Sequence, residues 1–214
     1  MKHLKEGKVN HPPVDPKDPD RVQKAKIIDF VHEAGRGAPL AKIVLDSGKK
    51  HLWLPPEGVF VGETVEFGPQ TELKIGNTIE VRNIPEGVYV YNIERRPRDG
   101  GKFCRTSGGF AIMISRSENE VTFKMPSGKI VGVHPRARAS IGVVGGSGRP
   151  QKPFVKDGAK YHHMLKKTAN WPVVGACKKN ATDHPYGGGR KKRPAKPTTT
   201  ARTAPPGRKV GLIA

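Results

Sequence analysis

Val121-Thr122-Phe123-Lys124-Met125-Pro126-Ser127-Gly128-Lys129-Ile130-Val131-Gly132-Val133-His134 carries the strongest local pattern in the chain. Val121, Phe123 and Met125 alternate with Thr122 and Lys124, which is the period of a strand with one buried face. Pro126-Ser127-Gly128 supplies a tight connection, and residues 129–134 read as the returning strand. A hairpin of this kind needs partners, and the flanking sequence offers them. Residues 88–93 and 109–115 have the same strand character, after the break at Asn83-Ile84-Pro85-Glu86-Gly87. Four short strands, the last two joined tightly, predict a small SH3-like barrel.

Helical periodicity is nearly absent between residues 20 and 145, and upstream of the hairpin β-branched and aromatic residues again fall in short runs. Strands are expected at 26–31, 41–46 and 51–54, with Ser47-Gly48-Lys49-Lys50 turning between the last two. Further short strands are expected at 59–61, 64–67 and 78–82. About five short strands in a segment of this length fit a barrel of the OB type. The expected fold class is therefore mostly β: an OB-fold barrel followed by an SH3-like barrel, with an extended basic C-terminal tail. The expected division is an N-terminal extension (1–20), an OB-fold module (21–82), an SH3-like module (83–148) and the tail (149–214).

Charge is distributed as unevenly as structure. The 214 residues carry 39 Lys and Arg against 19 Asp and Glu, a formal net charge of +20. Residues 1–80 balance 12 basic against 12 acidic side chains, residues 81–148 carry 11 against 5, and residues 149–214 carry 16 against 2. Such an excess opposes compaction unless a polyanion neutralises it, and a phosphate backbone is the usual partner. An acidic membrane surface is the other candidate. Against it, the chain shows no transmembrane-length apolar run, no basic amphipathic helix and no signal-peptide core, so no membrane partner is expected. The two cysteines, Cys104 and Cys177, give no disulfide framework and suit a reducing compartment.

The basic residues cluster where barrels expose loops. Glu94-Arg95-Arg96-Pro97-Arg98-Asp99-Gly100-Gly101-Lys102 places four cations in one loop, and Arg105, Arg136 and Arg138 stand at expected strand ends. Arginine at such places can fork onto phosphates or stack on splayed bases. In the tail, Gly142 to Pro150 and Tyr186 to Pro194 are too rich in glycine for regular structure. Alone in water that tail lacks the apolar residues to offset its ordering entropy. Arg149, Lys152, Lys156, Lys178, Lys179, Arg208 and Lys209 add charge along it. Arg190, Lys191, Lys192 and Arg193 form a run that, by itself, fits a linker or a localisation patch as well as RNA. His162 and His163 are expected to open a short helix at 162–167 whose Lys166 and Lys167 face phosphate.

The ordered motifs resemble one family, the universal large-subunit ribosomal protein two. They run from Gly35-Arg36-Gly37-Ala38-Pro39-Leu40-Ala41 through Ile75-Gly76-Asn77-Thr78, Ile84-Pro85-Glu86-Gly87, Arg105-Thr106-Ser107-Gly108 and Pro126-Ser127-Gly128. Ala139-Ser140-Ile141-Gly142-Val143-Val144-Gly145-Gly146, Lys152-Pro153, Tyr161-His162-His163 and Trp171-Pro172 follow. The series ends in Asp183-His184-Pro185-Tyr186-Gly187-Gly188-Gly189 and Ala204-Pro205-Pro206-Gly207-Arg208-Lys209-Val210-Gly211. The first and last of these look like the archaeal or eukaryotic branch. The resemblance implies a cytoplasmic ribosomal protein and a tail threading into large-subunit rRNA near the peptidyl transferase region. It also implies neighbouring ribosomal proteins as partners, the small subunit across the intersubunit face, and roles in subunit association and tRNA placement. By position, Lys50 and Arg105 match places where the family sets basic residues on RNA, and His184 matches a histidine once considered for peptide-bond formation. The chemistry is ascribed to RNA, so no catalytic residue, cofactor or metal is expected. Two departures stand out. The family's basic N-terminal arm is expected to precede the point where this chain starts, and Gly175-Ala176-Cys177-Lys178-Lys179-Asn180 replaces the usual Arg-Gly-Val-Ala-Met-Asn.

The same residues admit other readings. Asp183 beside His184 is no triad, because a base needs an orienter placed by the fold. Cys177, His184, His162 and His163 lack the spacing of a zinc site. Trp171 is expected to pack on the second barrel with Val173 and Val174, the alternative being a stack on a base. A free factor touching RNA transiently remains the alternative to a ribosomal constituent.

Overall fold

The computed structural model describes residues 7–14, 18, 20–167, 169–190, 193–194 and 196–214. Ten strands follow one another: β1 (Gln23–Val31), β2 (Leu40–Leu45), β3 (Lys50–Trp53), β4 (Thr64–Phe67), β5 (Thr78–Glu80), β6 (Tyr89–Tyr91), β7 (Ala111–Arg116), β8 (Val121–Lys124), β9 (Ile130–Val133) and β10 (Arg138–Ile141). They form one sheet in the order β3-β2-β1-β4-β5-β10-β6-β7-β8-β9. The mostly β expectation holds. Among the described residues no helix is long and apolar enough to cross a membrane.

The alternation at 121–125 does what its period requires. Val121 and Phe123 are fully buried, whereas Lys124 is exposed, and β8 pairs with β9 through Val121↔Val133 and Phe123↔Val131. Around them Val90, Ile93, Ala111, Met113, Ala137 and Ala139 close the second core. The first core gathers Ala25, Ile27, Ala41, Ile43, Val65 and Phe67 around Trp53, whose ring meets Phe67 edge-on at 5.9 Å. Each core has one bulge that turns an apolar residue outward, Ile28 in β1 and Ile114 in β7.

Three local expectations are corrected. Residues 59–61 are a turn rather than a strand: Gly58 and Gly62 bracket them in the left-handed region, and Gly62 N–H bonds Ile27 O. The expected strand at 88–93 ends at Tyr91, because Asn92 takes a positive φ of 49°. No strand is expected beyond residue 134, yet β10 is the seam between the first and second cores. Its four residues are buried on both faces, pairing with β5 through Ala139↔Ile79 and with β6 through Ile141↔Val90. Ser140 and Thr78 hydroxyls meet across that seam at 2.7 Å.

A third core seals the two modules. Val9, Ala38, Leu40, Leu54, Tyr91 and Val144 pack together, and the Tyr91 hydroxyl donates to Leu54 O at 3.0 Å. Val9 comes from the expected N-terminal extension, whose residues 9–12 lie in the seam instead of projecting from it. Arg138 donates to Pro12 O, His51 to Asn10 O and the His11 ring to Asn92 O, at 2.8, 2.8 and 2.7 Å.

The chain divides into two compact units, residues up to 168 and residues 169–214. The first unit ends in α1 (Asp157–Lys166), which begins five residues before the expected helix and places Asp157 in its first turn. An acid there and His163 with Lys166 in the last turn complement the helix dipole. In the second unit β11 (Thr199–Thr200) and β12 (Leu212–Ile213) pair in parallel. No residue of that unit is buried among those described.

Candidate nucleic-acid interface

Glu94 explains how the arginine loop is built. Its carboxylate is fully buried and accepts from Arg98 N–H, Gly100 N–H and Arg138 N–H, each at 3.0 Å. The Arg138 guanidinium forks onto the same group at 2.8 and 3.1 Å. Asp99 caps Arg95 and Arg96 backbone N–H groups in the same loop. Gly101 has φ of +93°, and a Cβ there would run into Asn92. The loop is therefore a fixed shelf, and the side chains of Arg95, Arg96 and Arg98 leave it exposed and free of ion pairs among the described residues.

Two expected contacts take other roles. Arg138 is only 7 % exposed, and its donors go to Glu94 and Pro12, so it cannot fork onto a phosphate as the strand-end reading supposed. Arg105 is half-buried; it donates to Gly101 O at 2.9 Å and to Val9 O, strapping the N-terminal segment down. Burial, and then the Arg36 charge, lowers its pKa from the ordinary guanidinium value.

A groove opens beside the loop. A cleft of about 620 Å³ is lined by Arg21, Arg82, Arg98, His134 and Arg136, with Asp20 and Glu80 as acids. A second cleft, about 510 Å³, shares Arg82, His134 and Arg136 and extends to Arg116. Arg21, Arg82, Arg116 and His134 were not singled out from the sequence. Arg21, Arg82 and Arg116 are isolated cations and His134 an isolated imidazole, each at or near the end of a strand, and the sheet order brings their segments together.

A further basic group surrounds α1. Arg149 Nε donates to Ser107 Oγ at 2.6 Å, which pins it over Gly37. His163 lies against Phe154 with ring centroids 5.2 Å apart. Partial burial, then the charges of Lys167, Arg149 and Lys166, depress the His163 pKa. Lys152, Lys156, His162, Lys166 and Lys167 are exposed. Lys50 is exposed at the start of β3.

In the second unit Tyr186 organises the backbone. Its hydroxyl is shared between Thr198 O and Val210 O, at 3.1 and 3.2 Å. His184 Nδ1 accepts Tyr186 N–H at 3.1 Å, and the two rings lie 5.3 Å apart. A neutral His184 therefore carries its proton on Nε2, as a donor. No carboxylate orients this ring among the described residues, which leaves nothing for it to work with as a base. Lys178, Arg190, Arg193, Arg208 and Lys209 are exposed and Lys179 is half-buried; Lys191 and Lys192 lie outside the described residues. Val173 and Val174 are exposed, and Trp171 is half-buried. Among the described residues no three His, Cys, Asp or Glu side chains group as metal ligands. Burial raises the Cys104 thiol to about 11, consistent with a packed rather than a reactive cysteine.

Residues 74–207 match the family described as Ribosomal Proteins L2, C-terminal domain. The large ribosomal subunit protein uL2 of Methanopyrus kandleri is 45 % identical over 212 residues, covering 99 % of this chain and 87 % of the relative. That of Archaeoglobus fulgidus is 49 % identical over 195 residues, 91 % of this chain and 82 % of the relative. That of Methanococcoides burtonii is 44 % identical over 212 residues, 99 % and 88 %.

Proposed function

The chain belongs to the uL2 family of large ribosomal subunit proteins, and on that premise we propose that it is a structural rRNA-binding constituent of the large subunit. The observation that carries this is the loop 94–102. A buried carboxylate with its hydrogen-bonding capacity filled holds a shelf of backbone, from which Arg95, Arg96 and Arg98 point outward unpaired. Such a shelf loses little entropy when it meets phosphate, and its charge releases counterions. Nothing about it suits turnover of a substrate.

The two units divide the work. The first offers the arginine loop, Arg136, the Arg149–α1 group and Lys50. The second offers Lys178, Lys179, His184, Arg190, Arg193, Arg208 and Lys209 along a chain in which no described residue is buried, which supports a segment enclosed by RNA. The division at 20/21, 82/83 and 148/149 into extension, OB-type module, SH3-like module and tail serves as the functional map. On the family's pattern, the site is near the peptidyl transferase region. There the protein supports subunit association, tRNA placement and peptide-bond formation by the RNA, beside neighbouring ribosomal proteins and the small subunit.

The test is a high-salt wash of ribosomes followed by sedimentation. A threaded constituent stays with the large subunit, because release requires the surrounding RNA to open. Quantitative release at moderate salt identifies a free factor instead.

A further inference from the structure

The groove beside the arginine loop has a form that the loop alone does not. Arg21 and Arg98 stand at one end, Arg82, His134 and Arg136 in the middle, and Arg116 at the other end. Several of these groups are held in place before any ligand arrives. Arg116 Nη1 donates to Arg82 O at 2.8 Å. Arg98 is pinned through its backbone N–H to Glu94. His134 Nδ1 accepts Arg136 N–H at 3.1 Å, so its neutral ring presents Nε2–H as a donor. Glu80 is spent on Arg82 at 2.7 Å, leaving Asp20 and Glu118 as the acids not ion-paired among the described lining residues.

We infer that this groove holds a single strand of RNA by its phosphates, a reading that rests on the chain being an rRNA-binding constituent. A-form duplex presents a broad, shallow minor groove and is read by surfaces that span it. Here the cations line a concave run bordered by Pro13, Val14 and Pro97, a form that suits one backbone better than the broad face of a duplex. A continuous cationic trough is the form used to track a single strand. The donors are also mixed, guanidinium forks with an imidazole N–H, which suits successive phosphates rather than one bound anion.

The experiment uses the full chain with a short oligouridine single strand, an RNA duplex of equal phosphate count, and a fragment of large-subunit rRNA. Anisotropy titrations across salt compare the unaltered protein, the pair Arg21→Glu with Arg136→Glu, and the pair Arg190→Glu with Arg208→Glu. Thermal melting checks that each variant folds. Arg21 and Arg136 are exposed and make no side-chain bond among the described residues, so the fold is expected to stand. The expected result is about a tenfold or greater loss of single-strand affinity in the first pair, and a log–log salt slope shallower by about 1.4 for two lost contacts. Duplex binding changes little, and the second pair affects the single strand less. Equal loss on duplex and single strand, or no loss on the single strand, overturns the groove assignment. Failure of the unaltered protein to bind the rRNA fragment sinks the broader reading, whereas intact rRNA binding with an insensitive oligouridine titration sinks only the groove.

Discussion

The units before and after residue 168 are stabilised by different means. Every buried apolar side chain among the described residues lies between Val9 and Val144, gathered into three cores. Residues 169–214 have none, and their order comes from Tyr186, one two-residue strand pair and a set of turns. The sequence of the second unit contains ten Lys and Arg against Asp183 alone. Hydrophobic burial can hold the first unit with no partner. The second carries an excess of positive charge with no such burial, and on the proposed function rRNA supplies the counter-charge it lacks.

The comparison breaks most directly by removing residues 169–214. The first unit is expected to retain its cooperative melting, while the salt dependence of rRNA binding collapses. If half of the ten cations meet phosphate, the log–log slope falls by about 4 units, and affinity at moderate salt falls by several orders of magnitude. Equal slopes for the shortened and full chains would show that the second unit is not an anchor.

The first unit's legibility followed from periodicity. The hairpin at 121–134 and the meander of β1, β2 and β3 were read with errors of one to three residues, because each has one buried face and a turn signal. β10 escaped for the opposite reason. Arg138-Ala139-Ser140-Ile141 is buried on both faces and shows no alternation, and its arginine resembled a surface cation. Arg138 and Glu94 lie 44 residues apart, so nothing local marks them as partners. The groove was invisible for the same reason: Arg21, Arg82, Arg116 and Arg136 come from four separate segments that only the sheet order assembles. The N-terminal segment read as a mixed-charge extension because its hold is mostly backbone carbonyl to distant side chain, which leaves no pattern of residue types.

The buried pair sharpens the contrast within the first unit. Glu94→Ala strands the Arg138 guanidinium and the N–H groups of Gly100 and Arg138 away from water, and frees the Arg98 N–H. Breaking such a pair from one side costs about 3–5 kcal/mol. Chemical denaturation should show that loss in the unit's single transition. Replacing both partners, Glu94→Leu with Arg138→Met, should recover part of the stability but not the order of the loop 94–102. Amide exchange at Arg98 and Gly100 would separate the two effects. A Glu94→Ala variant as stable as the parent would mean that the shelf is held by other means.

The smallest effect tests the N-terminal segment. His11 is buried, and desolvation followed by the Arg138 charge lowers its pKa from 6.5 to about 3. Its Nδ1 is buried without a partner, which requires a neutral ring with the proton on Nε2 toward Asn92 O. Between pH 6.5 and 3 the unfolded chain binds a proton at His11 that the folded chain refuses, so stability rises with pH across that window. Above pH 6.5 the contribution is constant. From pH 7 to pH 5 the loss amounts to about 2 kcal/mol for this one group. His11→Gln keeps a donor for Asn92 O and removes the titration, so its stability should fall less over the same interval. Parallel curves for the two proteins would show that the segment leaves its seat before His11 takes up a proton. The N-terminal strap would then be a separately opening element and not part of the first unit's core.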